Sequence, residues 1–444
     1  MQNQALGLLA ATLFLTAGCV NENEKASPLD PRDPPATGDF SSDTAKQWFD
    51  QLTLAIDTEN LNPPEASRRI GYAGVTLYEA VVAGIEDGVS LGGQLNELGS
   101  LPEAPNEDMH WPSAANAALA DVLANLFATA TPGTLQGFAD LETAQAAAFD
   151  ADPDIDDAAI ARSITYGEDV AAEIIAWVAG DEYTTWNDCA FTVPTGDGLW
   201  EPTPPAFVAT PLEPCWGNLR PFVLLFGAEC APLSHPPFSK TAGSQFAIEA
   251  QEVYDVGNSL TTEQQDIATF WADGAGTLTP PGHWVSITGI VLEQEGEDLD
   301  VAAEAYAKVG MAVADAFISC WEIKFAYNLL RPITYIRDAA GPINDPAWTS
   351  FIGTPPFAEF TSGHSTQSGA AATVLADLFG DVTFTDTTHP ALTARSFDSF
   401  EEAADEAAIS RLYGGIHFRA AIERGIEQGQ CIGRTILDEV QFRD

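Results

Sequence analysis

The stretch FTSGHSTQSG, from Phe360 to Gly369, stands between a pair of prolines and an apolar pattern of helical spacing. The apolar positions behind it are Ala371, Val374, Leu375, Leu378 and Phe379, which predicts a helix that begins within the stretch. The first turn of a helix exposes unpaired N–H groups and a partial positive charge, so it favours an anion. One interpretation is structural: Thr361 or Ser362 is an N-cap, and His364 is an ordinary first-turn residue. The other is functional: His364 transfers protons beside a bound anion.

The same helical periodicity runs through most of the chain and predicts an all-α fold built from helical bundles. Between about residues 181 and 240 the periodicity fails and prolines and aromatics dominate, which predicts a long ordered connection around the helices. We therefore expect an N-terminal helical half over residues 41–240, which includes this connection, and a C-terminal helical core over residues 241–444. The predicted helices are Thr44–Ile56, Ala66–Ala83, Ser113–Ala128, Thr134–Phe149, Asp157–Ala179, Ser244–Asn258, Thr262–Asp273, Trp284–Leu292, Leu299–Leu330, His364–Phe379, Ser399–Tyr413 and His417–Gln441.

The chain is strongly acidic, with 65 aspartates and glutamates against 18 lysines and arginines and a formal net charge of −47. Such a surface repels nucleic acid and anionic membranes, so neither is an expected partner. Residues 301–444 nevertheless hold ten of the 18 basic residues. This enrichment indicates either that the last third of the chain binds an anion or that its basic residues pair with local acids.

The N-terminal residues 1–18 are typical of a lipoprotein signal peptide. The apolar run ALGLLAATLFLTA is too short to span a membrane comfortably, and LTAGC, which ends at Cys19, resembles a bacterial lipobox whose cysteine is lipidated. Residues 19–40 are polar and rich in proline, and we expect them to form a flexible tether. The sequence thus predicts an exported protein, periplasmic or on the cell surface, that meets the membrane only through a lipid anchor.

Export would permit disulfide bonds among the five remaining cysteines. Cys215 and Cys230 form the simplest candidate pair, and at least one thiol must stay free. The cysteines open to pairing are Cys189, Cys215, Cys230, Cys320 and Cys431.

Two further patterns in the last third of the chain bear on an anion site. In KFAYNLLRP, Lys324 and Arg331 are seven residues apart, which predicts that both lie on one face of a helix that Pro332 ends. In SRLYGGIHF, Arg411 and His417 are six residues apart, a spacing that points them away from each other on a continuous helix. The intervening Gly414–Gly415 predicts a break that could turn both toward a common point.

Taken in order, these patterns resemble the type 2 phosphatidic acid phosphatase superfamily, and within it the bacterial vanadium-dependent haloperoxidases. The segments LTPPGHW, CWEIKFAYNLLRPITYI and TPPFAEFTSGHS extend the resemblance, which covers most of the chain from about Ala66. It implies vanadate as the cofactor, in a site that phosphate could also occupy. It further implies hydrogen peroxide and a halide as substrates, an organic molecule as a further partner, and a hypohalous species as the product.

The resemblance implies a role for each position. Lys324, Arg331 and Arg411 would neutralise the vanadate oxygens, and Lys324 would also polarise the bound peroxide. Ser362 and Gly363 would add hydrogen bonds, His417 would bind vanadium, and His364 would be the acid–base residue. Weaker candidates for the pocket wall are Phe357, Trp321, Glu322 and His283, whereas His110, His235 and His389 are expected to be structural.

One position departs from this family pattern. The family often has an aspartate four residues after the vanadium-binding histidine, where it can orient the ring, and this chain has Ala421 there. Another group must then orient His417, or the site is weaker than usual.

Two alternatives therefore stay open from the sequence. One is an acid phosphatase with His417 as nucleophile and His364 as general acid, and the other is a non-catalytic oxyanion-binding lipoprotein. The helical N-terminal half and the sequence around the motifs favour the haloperoxidase over the phosphatase, and Ala421 is the best support for the non-catalytic binder.

Overall fold

The structure, a computed structural model, describes residues 35–187, 189–274 and 276–444. The expected signal peptide, Cys19 and most of the expected tether lie outside the described residues. No helix in the described ranges is both long and apolar enough to cross a membrane.

The described chain is helical, as the periodicity predicts. Its α-helices are α1 (Asp43–Thr58), α2 (Pro63–Val81), α3 (Trp111–Leu126), α4 (Pro132–Asp150), α5 (Asp157–Ala179), α6 (Tyr183–Trp186), α7 (Gln245–Gly257), α8 (Thr262–Phe270), α9 (Thr279–Glu295), α10 (Leu299–Tyr327), α11 (Pro332–Arg337), α12 (Gly363–Phe379), α13 (Phe400–Tyr413) and α14 (Arg419–Glu439). Short 3₁₀ helices cover Thr37–Asp39, Val82–Gly84 and Trp216–Asn218. Two three-residue strands, β1 (Phe384–Asp386) and β2 (Arg395–Phe397), form an antiparallel pair.

Helix α10 runs through the middle of the fold. Every side chain from residue 302 to residue 321 is buried, which is typical of a helix surrounded by others on all sides. Helix α2 packs closely along it, because a Cβ added at Gly310 would lie only 2.8 Å from the carbonyl oxygen of Ile70. The last turn of α10 carries Lys324, so the packing of α2 and its neighbours fixes one wall of the candidate site.

Helices α12 and α14 also pack closely through glycines. A Cβ at Gly369 would lie 2.8 Å from the carbonyl oxygen of Ile426, and a Cβ at Gly425 would lie 2.7 Å from the Cβ of Ser365. Side chains at these two glycines would force the helices apart. The close approach places α14 against the first turn of α12, which begins within the stretch Phe360–Gly369.

Some helix boundaries differ from the predictions. Helix α10 ends at Tyr327, because Asn328 adopts a left-handed conformation with φ 49°, and Arg331 is instead the N-cap of α11. The prediction that Lys324 and Arg331 share one helix face is therefore wrong. The last helix begins at Arg419 and not at His417, and the short helices α6 and α11 were not predicted.

One disulfide bond closes a loop within the irregular connection, and a second ties the connection to a helix. Cys189 pairs with Cys215, and Cys230 pairs with Cys431 of α14. The predicted Cys215–Cys230 bond is therefore wrong, since closeness in sequence did not decide which thiols meet in space. Cys320 is a free thiol, buried in α10.

Candidate oxyanion site

The first turn of α12 begins as the sequence predicts. Ser362 is the N-cap, and its hydroxyl accepts a hydrogen bond from the Ser365 N–H at 3.3 Å. The Ser362 N–H in turn donates to the carbonyl oxygen of Ala421, at 3.0 Å. Gly363 and His364 follow in the first turn, where backbone N–H groups have no acceptor within the helix. Both are partly accessible, whereas their neighbours in the stretch are buried.

Lys324 reaches the loop before α12 from the last turn of α10. Its side chain is fully buried, and the ammonium donates to the carbonyl oxygens of Ala358 at 3.2 Å, of Glu359 at 3.0 Å and of Thr361. Burial lowers the pKa of Lys324 to about 8. The lysine therefore holds the loop that precedes the helix start and adds positive charge beside it.

Arg331 approaches from the N-terminus of α11. Its Nε donates to the carbonyl oxygen of Phe357 at 2.8 Å, and Nη1 donates to the carbonyl oxygen of Ile416 at 2.9 Å. The same Nη1 lies 3.1 Å from Nε2 of His417. Burial lowers the pKa of Arg331 to about 10, so it is a cation at neutral pH.

Arg411 lies at the end of α13, just before the break at Gly414–Gly415. Its Nε donates to the hydroxyl of Ser410 at 2.9 Å, and Nη2 donates to the carbonyl oxygen of Trp271. Gly415 has φ +75°, which favours glycine, and helix α13 ends there as predicted. Burial lowers the pKa of Arg411 to about 10.

Both histidines of the motifs are held neutral. Burial keeps the pKa of His364 well below its usual range, and Arg411 lowers it further, whereas Asp273 and a backbone hydrogen bond to Trp271 oppose this effect. Burial likewise keeps the pKa of His417 well below its usual range. The charges that lower the pKa of His417 further belong to Arg331, Lys324 and Arg411. The predicted residues, which come from the ends of α10, α11, α12 and α13 and from the segment before α14, are thus close enough to act on one another.

Aromatic side chains line one side of this group. The rings of Trp321 and Phe357 have centroids 5.0 Å apart. The Lys324 ammonium lies 5.2 Å from the Phe357 centroid, and the Arg331 guanidinium carbon lies 4.8 Å from it. These two weaker candidates therefore contact the cations of the site. Glu322 instead faces the irregular connection, where a Cβ at Gly217 would contact it.

His283 does not line the site but lies behind it. Its Nδ1 is 2.9 Å from a carboxylate oxygen of Asp273 and its Nε2 is 2.8 Å from one of Asp386. Burial by itself would lower the pKa of His283, but the two carboxylates raise it to about 10. The ring stacks on Trp271 with centroids 4.4 Å apart, and the Trp271 carbonyl contacts Arg411.

His389 completes a group that we call the carboxylate–histidine cluster: Asp273, His283, Asp386 and His389. The His389 Nε2 lies 2.9 Å from the second carboxylate oxygen of Asp273. Asp273, His283 and His389 are arranged so that they could surround a metal ion. Because His283 has a carboxylate at each ring nitrogen, it carries both protons and has no lone pair for a metal. The sequence analysis did not identify Asp273 and Asp386 as functional candidates, because a single aspartate is not distinctive in a chain with 65 acidic residues.

Glu359 was also missed, and it contacts the motif residues directly. Its Oε1 lies 2.9 Å from Nδ1 of His417 and accepts the Phe418 N–H at 2.8 Å. Burial raises the pKa of Glu359 to about 8. The only signal for it in the sequence is indirect, because Ala421 left His417 without an expected partner.

An oxyanion fits the donors that this site leaves unpaired. Among the described residues, Nη2 of Arg331 and the Ser365 hydroxyl are buried donors without a hydrogen-bond partner, and Nε2 of His364 and Oε2 of Glu359 are also buried without one. Buried polar groups normally have partners, so unpaired ones at a helix start indicate a missing ligand. Three cations, two neutral histidines and the start of α12 suit vanadate or phosphate.

Comparison with known proteins points to the same chemistry. A family model described as the VCPO second helical-bundle domain matches residues 304–443. The vanadium chloroperoxidase of Curvularia inaequalis is 30% identical in an alignment of 124 residues that covers 23% of this chain and only 20% of that protein's length. The holo-type bacterial vanadium-dependent chloroperoxidase, at 15% identity, shares the fold with a TM-score of 0.63 over 87% of this chain and 93% of that chain.

A fourth comparison covers almost the entire described chain. The crystal structure titled as the first bacterial vanadium-dependent iodoperoxidase superposes with a TM-score of 0.83 and 35% identity. The match covers 91% of this chain and 98% of that chain. On this evidence the protein belongs to the vanadium-dependent haloperoxidase family.

Proposed function

We propose that this protein uses hydrogen peroxide to oxidise a halide to a hypohalous species, with vanadate as its cofactor. The observation that carries the proposal is the convergence of Lys324, Arg331 and Arg411 around buried donors that lack partners. Vanadate bound there would supply a Lewis acid that activates hydrogen peroxide without changing its own oxidation state. We expect oxidation of bromide or iodide before chloride, because chloride is harder to oxidise.

The cations and the neutral donors of the site would have different roles in binding the oxyanion. The three cations would neutralise the oxyanion in a buried place where water cannot screen them. Ser362 and the Gly363 N–H would add hydrogen bonds at the start of α12. All of these residues belong to the core that we propose for residues 241–444.

The two neutral histidines would have different tasks. The Nε2 of His417 has no proton, because its neighbour Arg331 can only donate. Its lone pair is therefore available to bind vanadium. The Nε2 of His364 is buried without a partner, and it would take and return the proton of the peroxide.

The test is an assay of halide oxidation by the purified protein with hydrogen peroxide, with and without added vanadate. We expect oxidation of bromide or iodide that depends on vanadate. Hydrolysis of phosphate esters by the vanadium-free protein should be measured beside it. Fast hydrolysis without vanadate-dependent halide oxidation would identify a phosphatase, and neither activity would indicate a non-catalytic oxyanion binder.

We also propose that the protein is exported and held at a membrane by lipid on Cys19. The apolar run that ends in LTAGC supports this, and so do the two disulfides, which are typical of oxidising compartments. Cell fractionation of wild type and Cys19→Ser would test it. The variant should leave the membrane fraction, and equal membrane partitioning of both proteins would contradict the anchor.

A further inference from the structure

The residues of α14 leave His417 without an orienting side chain. Ala421, one helical turn after His417, offers only its carbonyl oxygen, and that oxygen accepts the Ser362 N–H at 3.0 Å. Arg419 is turned toward Glu252, with Nε 2.9 Å from its carboxylate. A partner for the ring must therefore come from another element.

Glu359 supplies that partner from the loop before α12. It is fully buried, and the single oxygen Oε1 accepts from both His417 Nδ1 and the Phe418 N–H. Its main chain joins the opposite wall, because its N–H donates to the carbonyl oxygen of Leu329 at 3.0 Å and its carbonyl accepts from Lys324. Glu359 thus connects the segment after α10 with the start of α14.

The two hydrogen-bond partners of the His417 ring, Arg331 and Glu359, indicate the same position for its proton. Arg331 can only donate, so Nε2 must accept, and the proton of the neutral ring is on Nδ1. That proton points at Glu359 Oε1. An oxygen that accepts a hydrogen bond from the far nitrogen fixes the orientation and tautomer of a ligand histidine. Oε1 of Glu359 can accept this bond whether or not Oε2 carries a proton.

We propose that Glu359 is the positioning residue that orients His417 and keeps the Nε2 lone pair directed into the oxyanion site. Glu359 lies outside α14 and orients the His417 ring, a role that the alanine side chain at position 421 cannot fill. The inference rests on the proposed function, since it takes Nε2 as the ligand of vanadium.

A purely structural role is the alternative, because Glu359 also caps α14 through the Phe418 N–H. The chain offers a matched control for that role in Glu249. Its carboxylate is also buried and accepts the Ala420 N–H of the same helix start at 3.1 Å. Glu249 has no hydrogen bond to His417 among the described contacts.

The experiment compares Glu359→Met, Glu359→Gln and Glu249→Met in the full chain, with vanadate binding measured by equilibrium dialysis and elemental analysis. Methionine fills the volume but cannot accept the hydrogen bond at Nδ1, whereas the glutamine amide oxygen can. We expect Glu359→Met to weaken vanadate binding about 10- to 100-fold. Glu359→Gln should keep most of the affinity, and Glu249→Met should bind vanadate as wild type does.

Two further measurements separate positioning from capping. Inorganic phosphate binding depends on the cations, so Glu359→Met should weaken it much less than vanadate binding. Adding Ala421→Asp to Glu359→Met should recover much of the lost vanadate affinity by placing a carboxylate one turn after His417. Thermal unfolding curves should be recorded for each variant to verify that it is folded.

Equal losses of vanadate affinity in Glu359→Met and Glu249→Met would overturn the proposal, and so would equal losses in the Met and Gln variants at position 359. These outcomes do not depend on turnover. A wild-type protein that binds vanadate but oxidises no halide would contradict the proposed function and leave the role of Glu359 intact.

Discussion

Two buried histidines of this protein, His417 and His283, differ in charge although both are removed from solvent. His417 is 3% exposed and lies among cations, which together with burial hold its pKa well below the usual range. His283 is 0% exposed and lies between Asp273 and Asp386, which raise its pKa to about 10. His417 is a neutral base whose Nε2 carries no proton, and His283 is a cation with both nitrogens protonated.

The difference shows that burial alone does not set the charge of a histidine. Burial disfavours the charged form of both rings, and the neighbours then decide whether this effect is reinforced or reversed. At His417 the neighbours are arginines and a lysine, which suits the binding of an anion. At His283 they are carboxylates, which suits an internal ion pair that supports Trp271 behind the site.

The largest expected effect concerns the neutral histidines. His417→Ala should lose bound vanadium and halide oxidation together, because the proposed ligand is gone. His364→Ala should keep some vanadium and lose turnover by about 100- to 10,000-fold, since only proton transfer is removed. Vanadium content and halide oxidation check both variants. His110→Ala is the control, since that ring bonds to Ser113 at 2.7 Å in α3. Full vanadium binding by His417→Ala would contradict its assignment.

The second prediction concerns the stability of the cluster behind the site. His283→Asn removes the cation between two buried carboxylates, and we expect the free energy of unfolding to fall by about 3–5 kcal/mol. Denaturant unfolding measures this. The control is His389→Ala, which removes a partly exposed partner of Asp273 and leaves the His283 ion pair, so its loss should be smaller. Equal losses for the two variants would show that His283 is not the central ion of the cluster.

The third prediction is the pH dependence of that stability. The folded-state pKa of His283, about 10, lies above its unfolded value of 6.5. Its stabilising contribution is therefore complete below pH 6.5 and is lost as the pH rises toward 10. Between pH 7 and 9 one extra bound proton corresponds to a loss of about 1.4 kcal/mol per pH unit. Unfolding curves of the wild type should show a steeper decline in this range than those of His283→Asn, and parallel declines would indicate a neutral His283.

The smallest expected effect is at the aromatic wall. Phe357→Leu removes a ring that lies 4.8 Å from the Arg331 guanidinium and 5.2 Å from the Lys324 ammonium. Cation–π contacts of this kind contribute about 0.5–2 kcal/mol, so vanadate affinity should fall by about 2- to 30-fold. Equilibrium dialysis measures the change. Phe325→Leu is the control, since Phe325 packs against Phe191 in the irregular connection. A loss of vanadate affinity as large as that expected for His417→Ala would mean that Phe357 does more than contact the cations.

Local signals predicted much of the site. An N-cap at Thr361 or Ser362, the helix that follows it and the break at Gly414–Gly415 are predicted from neighbouring residues only. The structure has the helix and the break, and it places the N-cap at Ser362. The end of α10 was misjudged because Pro332 gave a stronger signal than Asn328, whose left-handed conformation ends the helix three residues before Leu330.

The sequence by itself determined the helical fold and the family, and it predicted the residues of the candidate oxyanion site, because periodicity, capping and motif order depend on short segments. Only the tertiary structure decided that Glu359 orients toward His417, that Cys230 meets Cys431 and that His283 is charged. Each of these depends on groups 58, 201 or 103 residues apart coming within bonding distance. Hydrogen bonds, disulfides and pKa shifts act over a few ångströms, so they follow from the packing of distant segments and not from their spacing along the chain.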